Sequence, residues 1–167
     1  MLYIAQLGDS KVMIGRKNKN KKGMSLEQLT FDHVPYSLEE KKRIYTKGGE
    51  VRIWNGDGEE RVFVKGRVYP CLATTRSIGD EIGSLIGIIS EPEISTVELN
   101  PGTDVFLLIG SSAMFTYLDD NEILNVMNYA NSSKIRETAD ILVKKAKNSW
   151  VQNENNIEDM TLIISYI

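Results

Sequence analysis

A chain of 167 residues with a formal net charge of −3 can bury a core of its own and has no basic surplus that would select nucleic acid. Its single cysteine, Cys71, excludes an internal disulfide, and its single histidine, His33, excludes a zinc site built on two or more imidazoles. These counts fit one domain over residues 1–167 in a reducing compartment, cytoplasm or nucleus, with no secretory leader and no membrane span expected. Any metal here would be a hard one, magnesium or manganese, held by carboxylate and carbonyl oxygens.

In chain order, "LYIAQLGDSKVMIGRK" predicts two strands folded about Gly8-Asp9-Ser10, because Leu2, Ile4, Val12 and Ile14 alternate as half-buried strands do. "RKNKNKKGMS" crowds Arg16, Lys17, Lys19, Lys21 and Lys22 among asparagines. It reads as a solvated hairpin tip before it reads as an anion-binding loop. Ser37, with Glu40 three residues on, predicts a capping box at the start of a helix that Gly48-Gly49 ends. "VRIWNGDGEERVFV" predicts a hairpin around Asn55 to Gly58. The segment 66–99 mixes short helical and extended pieces and closes in a strand from Glu93 to Leu99.

Pro101-Gly102 turns the chain into the strand "DVFLLIG". A helix follows behind an Asp119 or Asp120 cap, with Ile123, Met127 and Ala130 at helical spacing. A second helix places Ile135, Ala139, Leu142, Val143, Ala146 and Trp150 on one face, with Lys144, Lys145 and Lys147 suiting its C-terminal end. The polar loop "QNENNIED" leads into a last strand, "MTLIISYI". Trp54 and Trp150 are expected in packing roles, and Cys71 has no base near it in sequence that would make it a nucleophile.

Five segments, in this order, resemble the metal-dependent, type 2C protein serine/threonine phosphatases. "LYIAQLGDSKVMIGR" is similar to that family's strand-GDSR-strand hairpin. "LTFDHVPYSLEEKKRIYTKGGEV" resembles its LTxDH segment and following helix, and "LATTRSIGDEIGSLIGIISEPEI" its LAVSRxxGD segment and xPEI strand. "DVFLLIGSSAMFTYLDDNEIL" stands in the place of DxFLILASDGLWDVLSNEE, and "NIEDMTLIISYI" in the place of the closing DNxTVIVV strand. The resemblance implies an α+β fold, a four-layer α/β/β/α sandwich with two antiparallel sheets, here lacking the family's N-terminal part. It also implies magnesium or manganese ions whose bridging water attacks phosphoserine or phosphothreonine.

Two departures from the family pattern bear on function. The phosphate-gripping arginine, acidic pair and DGHGG motif of the family's first segment have no counterpart here, and His33 falls on the non-catalytic histidine of LTxDH. It is expected to make a structural hydrogen bond in the turn. Ser112 falls on a metal-ligating aspartate, Ala113 on the glycine after it, Phe115 on the tryptophan and Thr116 on the second aspartate.

Glu158 and Asp159 stand at the last ligand, either one depending on a one-residue slip. Asp9 and Asp80 match aspartates near a third, looser metal, or serve as ordinary turn caps. Arg76 is a possible phosphate-edge contact, or a buried ion pair with Asp9 or Asp80. The favoured reading is a pseudophosphatase that binds a phosphoprotein or a regulatory partner. An active phosphatase completed by an N-terminal segment is the alternative, and a truncated product without a role of its own the third. A missing N-terminal segment, a second chain or a dimer mate is expected to cover an open sheet edge.

Overall fold

A computed structural model describes residues 1–18, 23–154 and 156–167. Lys19, Lys21 and Lys22 of the basic tip, and Asn155 of the polar loop, lie outside the described residues. The strands are β1 (Leu2–Gln6), β2 (Lys11–Lys17), β3 (Met24–Gln28), β4 (Gly49–Ile53), β5 (Glu60–Val64), β6 (Pro70–Leu72), β7 (Glu93–Val97), β8 (Asp104–Gly110) and β9 (Leu162–Tyr166). The helices are α1 (Leu38–Thr46), α2 (Glu81–Leu85), α3 (Asp120–Met127) and α4 (Ile135–Asn153). The mixed α+β class expected from the sequence is what the chain adopts. Two compact units interleave along it: residues 1–2, 10–30 and 97–167 in one, and residues 3–9 and 31–96 in the other.

The first unit holds an antiparallel sheet in the order β3-β2-β8-β9. Its core joins Met13, Phe106 and Leu108 of the sheet to Met114, Leu118, Ile123, Met127, Leu142 and Ala146. Gly15 has no substitute at its position in β2, because a Cβ there would lie 2.1 Å from the Phe106 ring. Beside it the β2–β8 register slips, and Arg16 turns its Nε to donate to Asp104 Oδ1 at 3.0 Å. Arg16 also pairs with Glu27. Asp104 is buried; burial disfavours its charge, but the Asn100 amide and the Arg16 guanidinium outweigh that and hold its carboxyl below the usual aspartate range.

Asp119 caps α3, accepting from Glu122 N at 2.9 Å, and Ile123 and Met127 are buried as their spacing predicts. In α4 the buried residues are Thr138, Leu142, Ala146 and Trp150, so the seam is rotated from the predicted one. Thr138 fits it because its hydroxyl donates to Lys134 O at 2.9 Å and is not left unsatisfied. The helix also runs on to Asn153, so Lys144, Lys145 and Lys147 lie short of its last turn.

In the second unit β4, β5 and β6 form one sheet, while β1 and β7 form another. Ile44 of α1 packs with Val51, Val62, Ile86 and Ile88 in its core. Gly48 leaves α1 at φ +82, the left-handed region glycine takes at little cost, as the Gly48-Gly49 pair predicts. The β4–β5 hairpin turns between Trp54 and Glu59, with Trp54 N donating to Glu59 O at 2.8 Å. Trp54 packs on Phe63 with ring centroids 5.9 Å apart, and the Arg52 guanidinium lies 3.9 Å above the same Phe63 ring.

One expectation is corrected. β1 and β2 do not form a hairpin: β1 pairs with β7, and β2 pairs with β3 and β8. The turn between them is tied to the segment at His33 instead of being closed by a ladder.

Candidate functional site

The Gly8-Asp9-Ser10 turn is built around the one histidine. Gly8 N donates to His33 Nδ1 at 3.1 Å, His33 N donates to Gly8 O at 3.0 Å, and Gln6 Nε2 donates to the same oxygen at 3.1 Å. With Nδ1 accepting, the neutral ring carries its proton on Nε2, which faces Glu93 Oε2 at 3.4 Å. His33 is buried, and its carbonyl accepts from Thr75 N at 2.8 Å. Its role is the structural hydrogen bond the sequence suggests. Asp9 is half-buried in this turn.

Arg76 is an ion-pair residue, but its partner is Glu40, not Asp9 or Asp80. Its Nη2 lies 2.8 Å from Glu40 Oε1, and its Nη1 donates to Glu91 O at 3.0 Å. Arg43 grips the same carboxylate with both terminal nitrogens, at 2.7 and 2.6 Å, and Thr75 Oγ1 donates to it at 2.5 Å. Glu40 is buried. Burial alone would raise its pKa, but bonds from Arg43, Arg76 and Thr75 outweigh that and hold the carboxyl far below the usual glutamate range.

The predicted capping box is absent: Glu40 is held by two guanidiniums, Ser37 N donates to Val34 O at 3.0 Å instead, and the Ser37 hydroxyl makes no cap bond. Sequence reasoning missed this hub. The one available signal was the Glu40–Arg43 spacing on α1, which sets an (i, i+3) pair on one helix face.

Asp80 is a helix cap. Its Oδ1 accepts from Gly83 N at 2.7 Å ahead of α2.

The remaining candidates lie in the first unit, where β8 ends and α3 has yet to begin. Ser111 N donates to Thr161 O at 3.1 Å, Thr161 N donates back to Ser111 Oγ at 3.1 Å, and the Asp159 carbonyl lies 3.5 Å from that hydroxyl. The fold thus brings the Ser111-Ser112 junction and the Glu158-Asp159 stretch to one end of the β8–β9 pair. Ser112 is half-buried and opens a 3₁₀ turn through Met114. Its carbonyl accepts from Phe115 N, Thr116 N and Thr116 Oγ1. Trp150 Nε1 anchors the same turn by donating to Ala113 O at 2.7 Å, with Tyr117 edge-on to the indole at 5.0 Å. Glu158 and Asp159 are exposed.

The candidate carboxylates are divided between the two units, Asp9 and Asp80 in one and Glu158 and Asp159 in the other. Among the described residues no three His, Cys, Asp or Glu side chains gather as a cation site. Asp80 has committed one oxygen to its helix, and the position next to Glu158 and Asp159 offers a neutral hydroxyl.

The protein phosphatase 2C family model matches residues 1–155. The chain belongs to the protein phosphatase 2C family. Among its relatives, the probable protein phosphatase 2C 35 of Arabidopsis thaliana is 28% identical, over 99% of this chain and 52% of its own length. The mitochondrial protein phosphatase 1K of Xenopus laevis is 37% identical, over 87% of this chain and 35% of its own. The crystal structure of serine-threonine phosphatase 2C from Toxoplasma gondii superposes with a TM-score of 0.81 at 18% identity, covering 98% of this chain and 54% of that one. A C. elegans sex determining protein follows at 0.77 and 22%, covering 98% of this chain and 36% of that one.

The fold is therefore that of the phosphatase 2C structures, and the chain spans about half or less of the length of these relatives. Among the described residues no helix is long and apolar enough to cross a membrane.

Proposed function

We propose that this chain is a phosphatase 2C-like domain with impaired metal binding, which works by binding a phosphoprotein or a regulatory protein and not by hydrolysing phosphoserine or phosphothreonine. Ser112 carries the reading. It stands where the family resemblance puts a metal-ligating aspartate, on a turn whose backbone is held from both sides by Thr161 and Trp150. A neutral hydroxyl leaves the repulsion of two divalent cations about 4 Å apart uncompensated at the point where it is greatest. The junction keeps its shape and lacks the charge.

Calorimetric titration with Mn²⁺ tests this on the parent chain and on Ser112→Asp. The parent is expected to take up at most one ion weakly, and Ser112→Asp to bind more tightly. Tight binding of two ions by the parent overturns the proposal.

A second reading is supported by the names of the relatives, which are those of phosphatases, including an integrin-linked kinase-associated serine/threonine phosphatase 2C of Homo sapiens at 32% identity. On that reading the chain is part of an active Mg²⁺- or Mn²⁺-dependent enzyme completed by a further segment. Hydrolysis of a phosphopeptide by the chain with Mn²⁺, lost in Asp9→Ala or Glu158→Ala, would favour it.

A further inference from the structure

The tip of the β4–β5 hairpin, Asn55-Gly56-Asp57-Gly58, carries two side chains of one reactive type and treats them differently. An asparagine or aspartate before glycine is able to close a five-membered ring, because glycine has no Cβ to shield its backbone nitrogen. All four residues are exposed. The tip is tied at its ends, where Gly58 N donates to Trp54 O at 2.8 Å and Trp54 N to Glu59 O at 2.8 Å.

Asp57 is guarded. Its Oδ1 accepts from Glu59 N at 3.0 Å, and its Oδ2 accepts from Arg61 Nε and Nη2 at 2.8 and 2.5 Å. The Arg61 guanidinium and the Glu59 amide hold its carboxyl below the usual aspartate range, so it stays an anion and a poor target for a nucleophile. The nitrogen it would need, Gly58 N, is committed to Trp54 O. Asn55 lacks all of this. Among the described residues neither its side-chain amide nor Gly56 N has a hydrogen-bond partner.

The two Asn-Ser pairs are guarded as well. Asn131 Oδ1 accepts from Ser133 N at 3.1 Å and from Ser133 Oγ at 2.6 Å, and Asn148 lies inside α4, whose ladder uses the following amide. Glycine is fixed at position 56, since a Cβ there would lie 2.4 Å from Trp54 Nε1. The packing of the hairpin therefore retains the reactive pair.

We propose that Asn55 is a modification site, at which the chain converts to a mixture of isoaspartate and aspartate with water as the only co-reactant. The Gly56 nitrogen loses its proton and bonds to Asn55 Cγ. The bond from Cγ to the side-chain nitrogen breaks, and ammonia leaves from a succinimide ring. Water then opens the ring at either carbonyl. Opening on the side-chain carbonyl gives aspartate; opening on the main-chain carbonyl gives isoaspartate, with one more carbon in the backbone. One water enters and one ammonia leaves. Either product adds a carboxylate to a tip that already carries Asp57 and Glu59. The site does not depend on whether Ser112 disables metal binding.

Incubation of the full chain at neutral and at mildly alkaline pH tests this, read by peptide mass spectrometry and by enzymatic methyl transfer from S-adenosylmethionine onto isoaspartate. Conversion is expected in the peptide that holds Asn55, at least about tenfold faster than at Asn131, Asn148 or Asp57. It should quicken as pH rises, because the attacking nitrogen must be deprotonated. Asn55→Gln keeps the amide but would need a six-membered ring. It should remove the signal while circular dichroism stays at the parent value. No conversion at Asn55, conversion as fast at a guarded site, or a rate indifferent to pH overturns the proposal.

Discussion

Glu40 carries one negative charge between two guanidiniums, and its side chain is 3% exposed against 21% for Arg43 and 16% for Arg76. A buried carboxylate on this footing stabilises the fold only while it is ionised. Its folded pKa is held far below the usual value by the bonds from Arg43, Arg76 and Thr75. The stabilisation is therefore complete above the ordinary glutamate pKa of about 4.3 and is lost as pH falls below that, toward the lowered folded value. Glu40→Gln keeps the shape and removes the charge, leaving both guanidiniums without a counterion. Urea denaturation at neutral pH should show a loss of about 3 kcal/mol or more. That loss should shrink as pH falls below about 4.3, where the unfolded chain takes up a proton that the folded carboxylate still refuses.

Local sequence announced the Glu40–Arg43 spacing, but not that Arg76, 36 residues away, would complete the pair. Arg76 was legible as an ion-pair residue while its partner was not.

Among the secondary elements, β2 shows how a residue with no side chain fixes a sheet face. Phe106 of β8 occupies the space where a residue-15 Cβ would stand. Gly15→Ala should therefore destabilise the chain at the upper end of the about 1–3 kcal/mol typical of overpacked cores, read as a lowered thermal midpoint. The helices of the same unit were the most legible elements, since α3 and α4 declare themselves by periodicity and the Asp119 cap. The rotation of the α4 seam toward Thr138 was not, because hydropathy alone ranks a threonine as surface and only the Lys134 carbonyl makes its burial tolerable.

At the scale of the whole molecule, charge and chain length set what the protein can meet. With 20 Lys and Arg against 23 Asp and Glu, the chain has no cationic surplus. It should pass a heparin column unretained at physiological salt; retention would show that the lysines around residues 17–22 act as an anion site. The family model covers residues 1–155, and the curated relatives extend well beyond the part this chain matches. Family membership thus rests on segments in order along the chain.

Sequence by itself determined the kind of most elements outside residues 66–92, the glycine exit of α1, the hairpin before Glu60, the cap at Asp119, and the serine at the end of β8. Each of these is written within a few neighbouring residues, where periodicity and turn chemistry act directly. Tertiary structure decided that β1 joins β7 and leaves β2 to β8, that Arg76 joins Glu40, and that Ser111 meets the Asp159 stretch. Those pairings join residues dozens of positions apart. Their partners are selected by the closing of the chain and the burial of charge, which no local window contains.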